Sequence, residues 1–171
     1  MLYFEIMITG NEIPDVLRCY FFGSSFGLKD DATSNGICGF AIPDLGVLYK
    51  NGCKGTLYES QYKGLLVLLK FIENNIKSLR GFEFEILTNA AVVAYQLTHH
   101  KSISHTLKDC YNMVLAYRST IPFRISWIPD HENQALSGLL ETPPLNSDIE
   151  IKFDDKKSTK GDRPGKGHLW L

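Results

Sequence analysis

The stretch Tyr20-Phe21-Phe22-Gly23-Ser24-Ser25 (YFFGSS) runs from large apolar side chains directly into a Gly-Ser pair. The residues just before it, from Leu17 onward, are also mostly apolar. Aromatic and branched side chains favour strands, whereas glycine and serine are common in turns. The pattern predicts a strand at residues 17–22 that runs into a tight turn, with Phe22 at the last position of the strand.

The composition is that of an ordinary globular protein. Of the 171 residues, 44% are hydrophobic and 22% are charged, and the formal net charge is −1. A dedicated nucleic-acid-binding domain is usually more basic, so any such binding must rest on a local patch. No apolar run approaches the ~20 residues that span a bilayer, and the first residues lack the pattern of a signal peptide. We expect a cytoplasmic protein with no membrane partner.

Four widely spaced cysteines bear on the compartment. Cys19, Cys38, Cys53 and Cys110 form no C-x-x-C pair. Such cysteines are typical of reduced, intracellular proteins, in which they behave as small apolar side chains. We therefore expect four reduced and mostly buried thiols, with a single disulfide as the less favoured alternative.

Hydrophobic periodicity divides the chain into strands followed by alternating helices and strands. Strands are predicted at residues 2–9, 17–22, 37–42, 47–49 with a resumption near residue 55, 82–87 and 123–128. Helices are predicted at residues 58–72, 90–97, 105–117 and 132–140. The early strands are separated by short turns and should form an antiparallel meander, whereas the later strands should pair in parallel. The predicted fold class is α/β, with a mixed five-stranded sheet flanked by helices.

The predicted helix at residues 58–72 has the clearest apolar stripe, since five of its side chains recur at intervals of three and four: Tyr62, Leu65, Leu66, Leu69 and Ile72. A stripe of this kind marks the side of a helix that packs on a sheet. Thr56 or Leu57 lies near the start of this helix. Glu59 follows in the first turn, where a negative charge favours the helix dipole.

Composition changes mark three segments of the chain. Residues 1–16 form an N-terminal extension with a predicted extra strand, residues 17–145 form the main domain, and residues 146–171 form a polar arm. The arm has six Lys or Arg against five Asp or Glu. Five of its basic residues are candidates for binding nucleic acid: Lys156, Lys157, Lys160, Arg163 and Lys166. Its apolar end, Leu169-Trp170-Leu171, is a candidate anchor for a partner.

Four motifs, taken in this order, resemble those of the ribonuclease H-like superfamily in its type-1 or reverse-transcriptase-like branch. YFFGSS resembles the first strand of that family, Y-x-D-G-S, and TLYESQYKGLLVLL (56–69) resembles T-x-x-E-A-E-Y-x-A-L. EILTNAAVV (85–93) resembles a strand that ends in T-D-S-x-x-V, and WIPDHENQALSGLLE (127–141) resembles H-V-P-R-E-E-N-x-x-A-D-x-L-A. The resemblance covers roughly residues 17–141 and implies the same mixed sheet.

Enzymes of that family cleave the RNA of an RNA–DNA hybrid with two Mg²⁺ ions held by four carboxylates. Carried over by the resemblance, the four carboxylate positions fall on Phe22, Glu59, Asn89 and Ser137, of which only Glu59 is acidic. Three lost carboxylates remove about three negative charges from a site that must hold up to four positive charges. The resemblance therefore implies no catalytic residues, no metal site and no cofactor, with the Phe22 ring filling the space of the metals.

Several of these positions have a structural interpretation as well. Glu59 is interpreted either as a residue that favours the helix dipole or as a remnant of metal binding. Asn89 can cap the short helix that follows it, and Asn133 can hold its loop or cap the last helix. His131 lies near a loop histidine of the family and is expected at the surface.

These observations favour a catalytically inactive ribonuclease H-like module that binds nucleic acid or protein within a larger assembly. RNA, an RNA–DNA hybrid and a protein partner remain open as alternatives. The second hypothesis is an active Mg²⁺-dependent ribonuclease whose ligands have been rebuilt around Glu59 from loop acids: Asp30, Asp31, Asp44, Asp130 and Glu132. A third is a small-molecule binder of another class, which a deep apolar pocket would favour.

Overall fold

A five-stranded mixed sheet forms the centre of the protein. The computed structural model describes residues 15–27, 34–99 and 103–137. The strands are β1 (Val16–Ser25), β2 (Asn35–Ile42), β3 (Val47–Lys54), β4 (Glu83–Thr88) and β5 (Phe123–Trp127). Their order across the sheet is β3-β2-β1-β4-β5. The pairs β1–β2 and β2–β3 are antiparallel, whereas β1–β4 and β4–β5 are parallel. The predicted antiparallel meander and parallel extension are confirmed.

Helices follow the sheet strands in the predicted order. The α-helices are α1 (Leu57–Asn74), α2 (Ala91–His99), α3 (Lys108–Thr120) and α4 (Gln134–Ser137), and 3₁₀ turns lie at Pro43–Leu45, His105–Leu107 and Asp130–Glu132. The last helix was predicted to begin at residue 132, but Asn133 separates a 3₁₀ turn from α4. Among the described residues, no helix is long and apolar enough to cross a membrane.

The main core lies between one face of the sheet and the stripe of α1. Four of the five predicted stripe residues are fully buried: Tyr62, Leu65, Leu69 and Ile72. Leu66 was also predicted to point inward, but it is half-buried, and Leu68 is buried instead. At about 100° per residue, Leu68 lies on the edge of the stripe next to Ile72, whereas Leu66 lies on the opposite edge. The buried side of α1 is therefore rotated slightly from the predicted one.

A second, smaller core covers the opposite face of the sheet beneath α4. Its buried members are Tyr20 and Phe22 of β1, Ala41 of β2 and Ala135 of α4. Residues that alternate along β1 therefore serve two cores, since Leu17, Cys19 and Phe21 belong to the main one. This alternation is the ordinary consequence of the two-residue period of a strand.

Two segments with predicted roles lie outside the described residues. They are the extra strand at residues 2–9 and the arm at residues 146–171, with its basic side chains and its Leu169-Trp170-Leu171 end. The cysteines of the described part are free thiols; two of them are buried and two are half-buried.

Glycine allows α1 to approach β1 at backbone distance. A Cβ atom added to Gly64 of α1 would lie 2.2 Å from the carbonyl oxygen of Phe22, and one added to Gly23 of β1 would lie 2.1 Å from the carbonyl oxygen of Ser60. Neither neighbour is the end of a flexible side chain, so an added methyl would push the helix away from the sheet. The close contacts of Gly64 with Phe22 and of Gly23 with Ser60 thus set the position of α1 over β1.

We predict that Gly64→Ala lowers the free energy of unfolding by about 1–3 kcal/mol or more, because the methyl must displace backbone. Urea denaturation followed by circular dichroism measures the change. Gly52→Ala is the matched control, since a Cβ at Gly52 meets nothing within 4 Å, and its effect should stay within about 0.5 kcal/mol. Equal midpoints for the two variants would show that α1 does not depend on this contact.

Candidate functional site

The Phe22 ring lies in the carboxyl-terminal half of β1, on the α4 side of the sheet. The predicted end of the strand at Phe22 is wrong, because Gly23, Ser24 and Ser25 also pair with β2. The ring is 5% exposed and packs with Tyr20, Ala41 and Ala135. Gly39 of β2, which pairs with Phe22, carries no side chain. A Cβ there would lie 3.0 Å from Phe22 Cε1. The absence of that side chain leaves room for the ring to lie against β2.

A lysine from the sheet edge closes over this ring. Lys50 of β3 places its Nζ 5.6 Å from the centroid of the Phe22 ring. The same Nζ donates a hydrogen bond of 3.2 Å to the carbonyl oxygen of Leu136 in α4. The ammonium group therefore makes a cation–π contact and satisfies a carbonyl near the end of α4. It places a positive charge beside Phe22.

A buried amide links β1 to the loop before α4. Asn133 is fully buried, and its Nδ2 donates to the carbonyl oxygen of Phe21 at 2.9 Å and to Asn89 Oδ1 at 2.8 Å. Asn133 Oδ1 accepts from the backbone N–H of Ala135 at 3.0 Å. The amide has partners for both its oxygen and its nitrogen, as a buried polar group requires. The predicted role of Asn133 as holder of the loop and cap of α4 is confirmed.

Asn89, which follows β4, completes this arrangement. Its Nδ2 donates to Asp130 Oδ1 at 3.1 Å, while its Oδ1 accepts from Asn133. The predicted cap of α2 by the Asn89 side chain is wrong, because both ends of that amide are engaged with the loop before α4. Thr88 instead accepts from the backbone N–H of Ala90 at 3.1 Å. We call Asn89, Asp130 and Asn133 the amide network.

Glu59 lies in the capping box of α1. Its Oε2 accepts from the backbone N–H of Thr56 at 2.7 Å, and Thr56 Oγ1 accepts from the backbone N–H of Glu59 at 3.2 Å. A Cβ at Gly55 would lie 2.8 Å from Glu59 Oε2, so the carboxylate points toward the turn that follows β3. These contacts give Glu59 a structural role at the start of the helix.

Gln61 is one of the α1 residues that lie against β1. Its backbone nitrogen would be 2.3 Å from a Cβ at Gly23, and its side chain points about 200° away from that of Glu59 around the helix axis. Gln61 Oε1 is buried and has no hydrogen-bond partner among the described residues. Sequence reasoning missed this residue, although the second acid of T-x-x-E-A-E-Y aligns with Gln61 once Thr56 and Tyr62 are matched.

Ser137 is the last described residue of α4, and its side chain offers a metal ion only a neutral hydroxyl oxygen. Its Oγ donates to the carbonyl oxygen of Asn133 at 3.4 Å. The structure thus brings Phe22 and α4 close to the amide network that contains Asn89. The side chain of Glu59 instead points to the start of α1.

The described loop acids of the second hypothesis do not gather around Glu59, and Asp130 belongs to the amide network. Asp44 accepts from the backbone N–H of Arg18 at 3.2 Å, and Arg18 precedes Phe22 by about 13 Å along β1. Glu132 lies 3.7 Å from His131, which is exposed as expected. Asp30 and Asp31 lie outside the described residues. Within residues 15–27, 34–99 and 103–137, no three His, Cys, Asp or Glu side chains form a group able to hold a metal ion.

Solved structures share this architecture. LC11-RNase H1, isolated from compost by a metagenomic approach, superimposes with a TM-score of 0.62 at 16% sequence identity, over 73% of this chain and 92% of that protein. The chain has the ribonuclease H fold. RNase H1 from the archaeon Halobacterium salinarum gives a TM-score of 0.55 at 19% identity, with 72% and 92% of the two chains covered.

A viral protease-reverse transcriptase is also similar in structure. The foamy viral protease-reverse transcriptase, solved in complex with dsDNA, gives a TM-score of 0.53 at 13% identity and covers 77% of this chain and 95% of that one. No protein-family model and no curated protein matches the sequence. At these identities the likeness establishes the ribonuclease H fold itself.

The two Mg²⁺ ions that this fold implies do not fit the residues at its centre. Magnesium requires oxygen ligands, and carboxylates supply most of them in proteins. The Phe22 ring offers no such atom, and the amides of Asn89 and Asn133 are bonded to each other. Gln61 and Ser137 bring only neutral oxygens, and Lys50 adds a positive charge beside Phe22.

We predict that the role of Glu59 in capping is visible in stability. Glu59→Ala should lower the free energy of unfolding by about 0.5–1 kcal/mol and Thr56→Ala by about 1 kcal/mol, whereas Glu59→Gln should have little effect because glutamine also completes a capping box. Urea denaturation of the three variants checks this order.

Glu73→Ala, in the last turn of the same helix, is the matched control. Its carboxylate makes an exposed i,i+3 ion pair with Lys70 at 2.8 Å, so its loss should change the free energy of unfolding by only about 0.2–0.5 kcal/mol. A Glu59→Gln variant as unstable as Glu59→Ala would contradict the capping role.

Proposed function

We propose that this chain is a non-catalytic ribonuclease H module that binds nucleic acid as a component of a larger assembly. The proposal rests on the residue types at the positions where enzymes of this fold carry their carboxylates. The resemblance implies four carboxylates, and Gln61 replaces Glu59 as the helix position because the Glu59 side chain points to the capping box. The residues at these four positions are Phe22, Gln61, Asn89 and Ser137. We infer that Gln61 occupies the helix position of that set.

The electrostatics of the centre support the loss of catalysis. Two Mg²⁺ ions bring four positive charges, and four carboxylates would neutralise them. Here the four positions are neutral, and the one carboxylate in the amide network, Asp130, accepts from Asn89. The Lys50 ammonium adds a positive charge that repels a divalent cation through Coulomb's law. A two-metal mechanism has neither its ligands nor its charge balance at this centre.

The alternative of an active enzyme rebuilt around Glu59 is less well supported. Glu59 is engaged by the backbone N–H of Thr56, and Asp44 is bonded near the start of β1 rather than near its end. Convergence on Glu59 would break the capping box and move at least two loops. The positions of the described acids favour solvated and capping roles instead.

Nucleic acid is favoured over protein as the partner because of the fold and the arm. LC11-RNase H1 has been solved in complex with an RNA/DNA hybrid, and the foamy viral protein with dsDNA. The described part of this chain has dispersed charge, so the basic residues of the arm are the main candidates for phosphate contacts. Leu169, Trp170 and Leu171 would add an apolar anchor on a protein of the same assembly. We place this binding in the cytoplasm.

The proposal predicts binding without cleavage. Fluorescence anisotropy should show that a labelled RNA–DNA hybrid binds the full chain at low salt, with affinity that falls as salt rises. A denaturing gel of the same sample, incubated with Mg²⁺ or with Mn²⁺, should show an intact RNA strand. The two measurements share one substrate, so that absence of cleavage cannot be attributed to absence of the complex.

Replacement of Lys156, Lys157, Lys160, Arg163 and Lys166 by glutamine should weaken binding and lower the salt slope by up to about 4.5, at ~0.9 per phosphate contact. The control replaces Lys77 and Arg80, two exposed basic residues after α1, and should leave binding unchanged. Cut RNA would overturn the non-catalytic part of the proposal. An intact hybrid that does not bind at any salt concentration would overturn the nucleic-acid part and favour a protein partner.

A further inference from the structure

Two free thiols lie side by side on the strands β2 and β3. The antiparallel register pairs Cys38 with Asn51 and Cys53 with Gly36. Cys38 and Cys53 are therefore diagonal neighbours that project from the same face of the sheet. That face is the one covered by α1, because Phe40, two residues after Cys38, belongs to the main core.

The surroundings of the two thiols differ. Burial, followed by the charge of Cys53 and a hydrogen bond with it, raises the pKa of Cys38 to about 12, while Lys63 acts in the opposite direction. Cys38 is buried, whereas Cys53 is partly accessible to solvent. The Nζ of Lys63 donates to the carbonyl oxygen of Lys54, the residue after Cys53. Cys53 is thus the thiol that a reagent meets first, and Cys38 lies behind it as a protonated neighbour.

The sheet can bring the two sulfur atoms to bonding distance. Diagonal neighbours have Cα atoms roughly 7–8 Å apart, slightly more than the usual span of about 4.4–6.8 Å across a disulfide. β3 is an edge strand of the described sheet and pairs only with β2. Gly52, next to Cys53, has open space around it. A shift of one edge strand by about 1 Å therefore closes the gap to that span.

We propose that Cys38 and Cys53 form an oxidisable dithiol, which a low-molecular-weight disulfide converts into an intrachain bond between β2 and β3. The thiolate of Cys53 attacks one sulfur of the reagent, forms a mixed disulfide and releases one thiolate. The sulfur of Cys38 then attacks the Cys53 sulfur, forms the Cys38–Cys53 bond and releases the second thiolate. The two protein thiols lose two electrons and two protons, and the reagent gains both as two thiols.

The consequence of this bond would be a fixed edge strand. β3 also carries Lys50, which contacts Phe22 and Leu136 on the other face of the sheet. A covalent link between β2 and β3 therefore restrains the strand that covers the centre described above. It also restricts the unfolded chain, so the oxidised protein should unfold at a higher urea concentration than the reduced protein.

The test treats the reduced full chain with oxidised glutathione, blocks remaining thiols by alkylation and measures intact mass and tryptic peptides. Trypsin separates Cys38, in residues 30–50, from Cys53, in residues 51–54. After subtraction of the alkyl groups on other thiols, we expect an intact mass lower than that of the reduced chain by two hydrogen atoms, and a single cross-linked pair of these peptides. Cys38→Ser should instead accumulate glutathione on Cys53, and Cys53→Ser should leave Cys38 unmodified.

Cys110→Ser is the matched control, because Cys110 is another half-buried thiol of the described part, and it should form the bond as the unchanged chain does. Stable glutathione on Cys53 in the unchanged chain would overturn the proposal, as would a bridge that contains Cys110. Because the unchanged chain alone decides between these outcomes, the test holds even where a cysteine variant fails to fold.

Discussion

The close backbone contact between β1 and α1 fixes the geometry of the whole centre. Gly23 and Gly64 let the helix lie against the strand at distances that no Cβ would allow. Once the helix is held there, its side-chain directions are set by the helical period. Gln61 then lies against the end of β1, and Glu59 turns toward the capping box. The two glycines thus determine which side chains of α1 face β1.

Packing and hydrogen bonds hold together the residues at the centre of this ribonuclease H fold. Four carboxylates brought together without metals would repel one another, and some of them would have to take up protons. Here an aromatic ring, a hydrogen-bonded pair of amides and a lysine occupy the same region. Asn133, in the loop before α4, donates one hydrogen bond to β1 and one to Asn89 after β4, and it accepts a third from the start of α4.

Periodicity predicted the sheet and the long helix because both depend on burial, which leaves a local pattern in sequence. Phe22 was placed correctly in the first strand of the sheet for the same reason. Glu59 was the more difficult residue, because Thr56 and Glu59 satisfy a capping pattern and a family motif at once. Asn89 was assigned to a cap, since its tertiary partners lie more than forty residues away.

The pairing of neighbours on adjacent strands and the position of Lys50 over Phe22 could not be predicted from the sequence alone. Cys38 and Cys53 meet only through the β2–β3 register, and Lys50 reaches Phe22 only across β2. A turn length and an exact pairing must be known before such contacts can be derived. The motifs predicted uncharged residues at three of the four carboxylate positions, and the structure shows the contacts that these side chains make.

A titration of the full chain with Mn²⁺, followed by electron paramagnetic resonance, tests directly whether the centre holds metal ions, with Glu59→Gln measured alongside. Mn²⁺ prefers the same oxygen ligands as Mg²⁺, and its free-ion signal decreases when it is bound. For a non-catalytic centre, the free-ion signal should grow in proportion to added Mn²⁺, identically for both proteins. Stoichiometric binding of one or two ions that is lost in Glu59→Gln would contradict this account, because Glu59 would then be a metal ligand rather than a cap.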